Sequence, residues 1–146
     1  MKLLSRSPAE TETVGYRVGK MLRTGAIVKL YGDLGAGKTT MVKGIARAFG
    51  IRAESVVSPS FTIITEYESS PRLLHIDLYR VEGSRDLEST GIWDAIGNDV
   101  ITIIEWPEHA GDGLPEDELV IRIEYRSDDE REITLEGIDE EHWHNL

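Results

Sequence analysis

The sequence predicts a single α/β domain over residues 1–146, a sheet flanked by helices with an antiparallel hairpin near the carboxy terminus. Three observations carry that reading. The apolar run Ala26-Ile27-Val28-Lys29-Leu30-Tyr31 leads directly into a glycine-rich segment and then a helical pattern from Thr39 to Phe49, closed by Gly50. A second run, Val100-Ile101-Thr102-Ile103-Ile104, is apolar enough for a strand buried on both faces. Further on, Leu119, Ile121, Ile123 and Tyr125 alternate with more polar neighbours, as do Ile133 and Leu135, which is the period of strands packed by one face.

The elements follow in order. Ser7-Pro8-Ala9-Glu10 has a capping-box layout with proline at the first helical position, and Val14, Val18, Met21 and Leu22 continue at helical spacing until Gly25. The chain therefore opens with a helix, followed by the strand, glycine segment and helix already described. Ser58-Pro59-Ser60 is a turn-like break, after which Phe61 to Tyr67 reads as a strand rich in β-branched and aromatic residues. Pro71 separates it from a strand at Leu73 to Asp77. The polar stretch from Glu82 to Gly97, with apolar residues interspersed, predicts one or two short helices. Ser127 to Glu130 turn between the hairpin strands, and the acidic last residues, with His142, Trp143 and His144, read as a loose tail.

Composition narrows the function classes. The chain has no cysteine, so disulfides and thiolate metal sites are excluded. Nothing has the layout of a signal peptide or the length of an apolar membrane span, so a cytoplasmic location without membrane association is expected. The net charge of -11 is uneven: residues 1–73 hold 11 Lys+Arg against 6 Asp+Glu, and residues 74–146 hold 5 against 21, giving +5 and -16. An acidic chain repels a nucleic-acid backbone, which disfavours autonomous binding of DNA or RNA and leaves the basic half to contribute to a composite surface.

The glycine segment carries the chemistry. Gly32-Asp33-Leu34-Gly35-Ala36-Gly37-Lys38-Thr39-Thr40 fits the phosphate-binding pattern G-x-x-x-x-G-K-[ST], between a strand and a helix as that pattern requires. Its glycines let successive backbone N–H groups close around an anion, and the helix opening at Lys38 adds the positive end of its dipole. Lys38 supplies a mobile cation between the β and γ phosphates. The Thr39 hydroxyl is a hard oxygen suited to Mg2+, and Thr40 reaches the α phosphate. Asp33, Gly35, Ala36, Gly37, Lys38, Thr39 and Thr40 are therefore the nucleotide-binding candidates. The only asparagines, Asn98 and Asn145, form no Asn-Lys-x-Asp pattern, which argues against guanine.

Such a loop needs a second anionic group to hold Mg2+, usually at the end of a neighbouring buried strand. Glu105 ends the run 100–104 and Asp77 ends Leu73-Leu74-His75-Ile76, so both qualify; a strand-end carboxylate held by a helix cap or an arginine is the plain alternative for each. The hydroxyls of Ser58-Pro59-Ser60-Phe61-Thr62 lie where nucleotide switches sense the γ phosphate, although a simple turn explains them as well. His75 reads as a packed or hydrogen-bonded residue, Arg80 as a surface ion pair, Trp106-Pro107 as core. The four histidines match no zinc spacing.

Taken together, the loop, Ser58-Pro59-Ser60-Phe61-Thr62, His75-Ile76-Asp77-Leu78-Tyr79-Arg80 and Ile104-Glu105-Trp106-Pro107 resemble the TsaE family, also called YjeE, in order, spacing and total length. The likeness runs from Thr11–Gly15 to Leu114-Pro115 and more loosely through the hairpin. It implies a P-loop fold and an ATPase, using ATP and Mg2+, that is required for threonylcarbamoyl modification of the tRNA adenosine beside the anticodon. In that family the protein joins a TsaB-TsaD pair and meets tRNA only indirectly; its hydrolysis resets the complex between rounds. The resemblance assigns phosphate binding to Lys38 and the loop, Mg2+ to Thr39 and Glu105, positioning or activation of the attacking water to Asp77, a switch to Ser60 and Thr62, and nucleotide contacts on the far side to Thr11 and Arg131. Ser60 stands where the family usually has threonine, which keeps the hydroxyl but not the stiffness of a β-branched side chain. Two other readings of a phosphate loop are a small-molecule kinase and a nucleotide-gated binding module without turnover. Against the first, no lid-like segment with paired arginines follows the core strands.

Overall fold

The continuous apolar runs 26–31 and 100–104 call for a sheet covered on both faces at its centre, and the computed structural model, which describes residues 1–57, 63–115 and 119–146, shows one. The described strands are β1 (Lys2–Ser5), β2 (Ile27–Tyr31), β3 (Ile64–Tyr67), β4 (Arg72–Asp77), β5 (Val100–Glu105), β6 (Leu119–Tyr125) and β7 (Arg131–Glu136). They form one sheet in the order β1-β7-β6-β2-β5-β4-β3. At its centre β2 runs parallel to both β5 and β6, and β5 runs parallel to β4; the outer pairs β3–β4, β6–β7 and β1–β7 are antiparallel. The predicted hairpin is thus β6 and β7, and it extends the main sheet.

Helices α1 (Pro8–Met21) and α2 (Lys38–Arg47) cover one face, where Val18, Met41, Val42 and Ile45 pack against Val28, Leu30, Ile101, Ile103, Ile121 and Ile123. On the other face, Ile27, Ile76 and Ile104 pack against Leu78, Val81, Leu87 and Ile92 from the segment carrying α3 (Ser84–Ser89) and α4 (Ile92–Ala95). The α1 cap follows the predicted pattern with one displacement. The Ser7 hydroxyl accepts from the Glu10 N–H at 3.1 Å, but the Glu10 carboxylate accepts from the N–H of Arg6, one residue outside the usual box, at 2.7 Å.

Glycines let α1 and α2 touch backbone to backbone. A Cβ on Gly44 would lie 2.1 Å from the Glu12 carbonyl oxygen, and one on Gly15 2.4 Å from that of Met41, so neither position has room for a methyl group. This contact sets α2, and with it the glycine loop, at a fixed height above the sheet.

Three segments differ from the sequence expectation: of the strand expected from Phe61 to Tyr67, residues 61 and 62 lie outside the described residues and β3 begins at Ile64. Residues 2–5, which showed no readable period, form β1 because β7 offers them an open edge. The carboxy-terminal tail is not loose: α5 (Glu140–His144) starts at Asp139, whose carboxylate accepts the His142 N–H at 3.0 Å, and Trp143 is only 2% exposed. The reason is a specific dock on α1. The Arg17 guanidinium lies over the Trp143 ring, 4.0 Å from its centroid, and donates to the Trp143 carbonyl.

Gly44→Ala is expected to destabilise the fold by about 1–3 kcal/mol despite the better helix propensity of alanine, through overpacking against α1. Trp143→Ala should cost about 3–5 kcal/mol. Urea unfolding of both variants checks these values, and an unchanged Trp143→Ala midpoint would restore the loose-tail reading.

Candidate active site

The loop leaves β2 at Tyr31 and enters α2 through Gly37, which caps the helix in the left-handed conformation (φ 111, ψ 20). Gly35 also has positive φ, at 76, and among the described residues nothing but its chain neighbours lies within 4 Å of where a Cβ would be; its glycine answers a backbone demand, not a lack of space. The Ala36 N–H donates to the Asp33 carbonyl at 3.0 Å and closes the loop on itself. Lys38 is buried, with 6% exposure. Its ammonium donates to the carbonyls of Gly32 and, at 3.0 Å, Asp33, and sits 4.3 Å from the centroid of the Trp106 ring.

The two carboxylates predicted from separate strands prove to be neighbours. Asp77 and Glu105 are register partners at the carboxyl ends of β4 and β5, and Glu105 is also the register partner of Leu30, one residue before the end of β2. Parallel pairing therefore delivers both acids to the sheet edge from which the loop springs. Glu105 is 2% exposed and meets His75 Nε2 through Oε2 at 2.5 Å. Asp77 Oδ1 accepts the Tyr79 N–H at 2.8 Å.

Burial and charge pull these groups in opposite directions. Burial lowers the Lys38 pKa below the ordinary lysine value, opposed by the negative charges of Glu105, Asp77, Glu108 and Asp33. Burial raises the Asp77 pKa above the usual carboxylate range; Glu105 adds to the rise, while the Tyr79 N–H, His75 and Lys38 oppose it. Glu108, which the sequence reading did not single out, is raised as well, again mainly by burial. It lies three residues after Glu105, in the first turn of the 3-10 segment Pro107–Gly113.

Trp106, expected in the core, does pack against the cluster of Ile76, Leu78 and Ile104, and its ring also faces the Lys38 ammonium of the site. It is the non-glycine residue with positive φ (55) among those described, and that conformation turns the chain immediately after Glu105. Its ring packs against Tyr79 and His109, with centroids at 5.0 and 5.4 Å. His109 Nδ1 donates to the carbonyls of Leu78 and Tyr79 at 2.9 and 2.8 Å, which ties this aromatic group to the end of β4. The adjacency of Trp106 to Glu105 was visible in the sequence; its backbone conformation was not.

On the loop's other flank, a cleft is lined by Thr11, Gly35, Ala36, Gly37, Thr40 and Arg131, joined by Ser7, Pro8, Asp128 and Asp129, which the sequence did not flag. The Thr11 hydroxyl shares a hydrogen bond of 2.7 Å with that of Ser5. Arg131 Nε donates to the Ala36 carbonyl at 3.1 Å, and Nη1 donates to the carbonyls of Ser127, Asp128 and Glu130, so this side chain braces the hairpin turn against the loop. Thr39 lies half-buried in the first turn of α2, and Asp33 is exposed at the loop tip. Ser60 and Thr62 lie outside the described residues. Among those described, no cluster of three or more histidine and acidic side chains forms a self-sufficient metal site.

A glycine loop between a parallel strand and a helix, with acids at the ends of the adjoining strands, defines a P-loop-type α/β protein. The description "Threonylcarbamoyl adenosine biosynthesis protein TsaE" belongs to the sequence family whose model matches residues 5–133. Relatives described as tRNA threonylcarbamoyladenosine biosynthesis protein TsaE include one from Treponema pallidum, 37% identical over 92% of this chain and 99% of its own, and one from Bacillus subtilis, 37% identical over 94% and 86%. The crystal structure of Bacillus subtilis YdiB superposes with a TM-score of 0.75 at 34% identity, covering 99% of this chain and 91% of that one. The chain belongs to the TsaE family, whose members are proteins of tRNA threonylcarbamoyladenosine biosynthesis.

The raised Asp77 pKa fixes the sign of a pH effect. Between the unfolded and folded values the native state binds more protons, so stability attributable to Asp77 falls as pH rises through that window. Asp77→Asn, which keeps an acceptor for Tyr79, is expected to be more stable than the parent at neutral pH, with the difference vanishing below the ordinary aspartate pKa. Unfolding curves across pH 3–7 would refute this if the difference stayed constant.

Proposed function

We infer that this protein is an ATP hydrolase that uses Mg2+ to support threonylcarbamoyl modification of the tRNA adenosine beside the anticodon, acting on a TsaB-TsaD complex in the cytoplasm and meeting tRNA only through it. The observation that carries the reading is the pairing of Asp77 with Glu105 at the sheet edge beside Lys38 and the loop. A protein that only bound a nucleotide would have no need of two carboxylates crowded there, where burial and like charge both disfavour them.

The residues fit the group the family implies. Loop N–H groups and the first turn of α2 offer orphan donors to phosphate oxygens, and Lys38 exchanges the carbonyls of Gly32 and Asp33 for them. Thr39 in the first turn of α2 and Glu105 at the end of β5 are hard-oxygen donors short of a full coordination shell; that suits Mg2+, which keeps phosphate and water ligands. When bound, this cation neutralises charge on the phosphate oxygens. Asp77, whose pKa burial raises, positions the attacking water and draws on its proton. The Trp106 ring faces the Lys38 ammonium at 4.3 Å and supplies a cation–π contact on that side. Thr11 and Arg131 face the nucleotide's other end in the flanking cleft.

Lys38→Ala should lower ATP hydrolysis by about a hundredfold or more and weaken nucleotide affinity. Glu105→Ala should reduce Mg2+-dependent turnover far more than metal-free nucleotide binding. Fluorescent-nucleotide titrations in EDTA, alongside steady-state hydrolysis, separate the two, and equal losses in both would remove the metal role of Glu105.

A further inference from the structure

One buried group at the site has no part in the steps above. His75 is completely buried in β4, two residues before Asp77 and therefore on the same face of the sheet. Its register partner on β5 is Ile103, which makes Glu105 its diagonal neighbour on that face. The two side chains, 0% and 3% exposed, meet at 2.5 Å between Nε2 and Oε2. An ionised Glu105 only accepts, so Nε2 carries the proton and donates; Nδ1 is buried with no partner among the described residues. Among the described residues the imidazole thus has a single polar contact, the carboxylate at the loop mouth.

We propose that His75 is the positioning residue of Glu105, holding one carboxylate oxygen so that the other is kept in place for the cation. The physical need is plain. Glu105 has Asp77 as its register partner on β4, and a buried carboxylate beside a like charge, given no donor of its own, turns away to find one. A hydrogen bond from His75 removes that freedom. Partners of this kind, which touch a ligand and not the ion, commonly govern metal affinity by about 10–100-fold.

The inference rests on Glu105 as the Mg2+ carboxylate, and the test separates the two claims. Three variants of the full chain are compared: His75→Leu, which fills the space without a donor; His75→Gln, whose amide N–H reaches close to the Nε2 position; and Glu105→Gln. The first readout is the factor by which Mg2+ tightens binding of a fluorescent, non-hydrolysable ATP analogue relative to EDTA. The second is the Mg2+ concentration giving half-maximal hydrolysis, with kcat and KM for ATP. His75→Leu is expected to reduce the Mg2+ factor and raise the half-maximal Mg2+ concentration about tenfold or more, with metal-free affinity within about twofold of the parent. His75→Gln should recover most of the loss.

Identical behaviour of the Leu and Gln variants, or a loss of metal-free affinity in proportion to the Mg2+ effect, would overturn the proposal and leave His75 as packing. Should His75→Leu fail to fold, His75→Asn, whose amide falls short of Glu105, takes its place and must show the same loss. If Glu105→Gln alters the Mg2+ factor while the His75 variants do not, the positioning role alone fails. If Glu105→Gln leaves the factor unchanged, the reading of Glu105 itself is wrong and the inference falls with it.

Discussion

Parallel alignment of β2, β5 and β4 is the constraint on which the rest depends. It brings three strand ends to one edge, so that a loop, Glu105 and Asp77 from segments far apart in sequence share a single small volume. The alignment is itself held by the two apolar faces. Ile101 and Ile103 must meet α1 and α2, while Ile104 packs on the opposite side with Ile27 and Ile76. A slip of one residue in β5 would put all of these on the wrong face and turn Glu105 away from the loop. The residues that aim the site are therefore isoleucines and valines as much as the acids themselves.

The electrostatics follow from the same geometry. Lys38 comes from the basic first half of the chain, and Asp77, Glu105 and Glu108 come from the acidic second half. Folding places them together in partial burial, where each group suffers loss of water and gains from the opposite charge nearby. Among the described residues the ammonium is held by backbone carbonyls and an aromatic face, not by a direct ion pair, so its transfer to an incoming anion breaks no salt bridge among them. The close α1–α2 contact and the Arg131 brace fix the loop from two other sides.

Much of this was legible in the sequence. Glycine spacing between an apolar strand and a helix defined the loop, and strand-end positions pointed to Asp77 and Glu105, because both signals are local. The α1 cap and the hairpin alternation were legible for the same reason. What escaped was set by tertiary contact. Residues 2–5 have no alternation of their own and become a strand only because β7 has an open edge. Trp143 looked like part of a polar tail until α1 supplied a surface and Arg17 a cation for it. Trp106 depends on a left-handed backbone that no residue type announces. The contact of His75 with Glu105 is a diagonal across two strands, fixed by a register that no single strand encodes.

The most direct test of the account is ATP hydrolysis by the purified chain, measured alone and with a TsaB-TsaD pair from the same organism, with Lys38→Ala as the blank. The account predicts slow, Lys38-dependent turnover by the chain alone and strong stimulation by the pair. Turnover that persists in Lys38→Ala, or absence of both stimulation and complex formation, would contradict it.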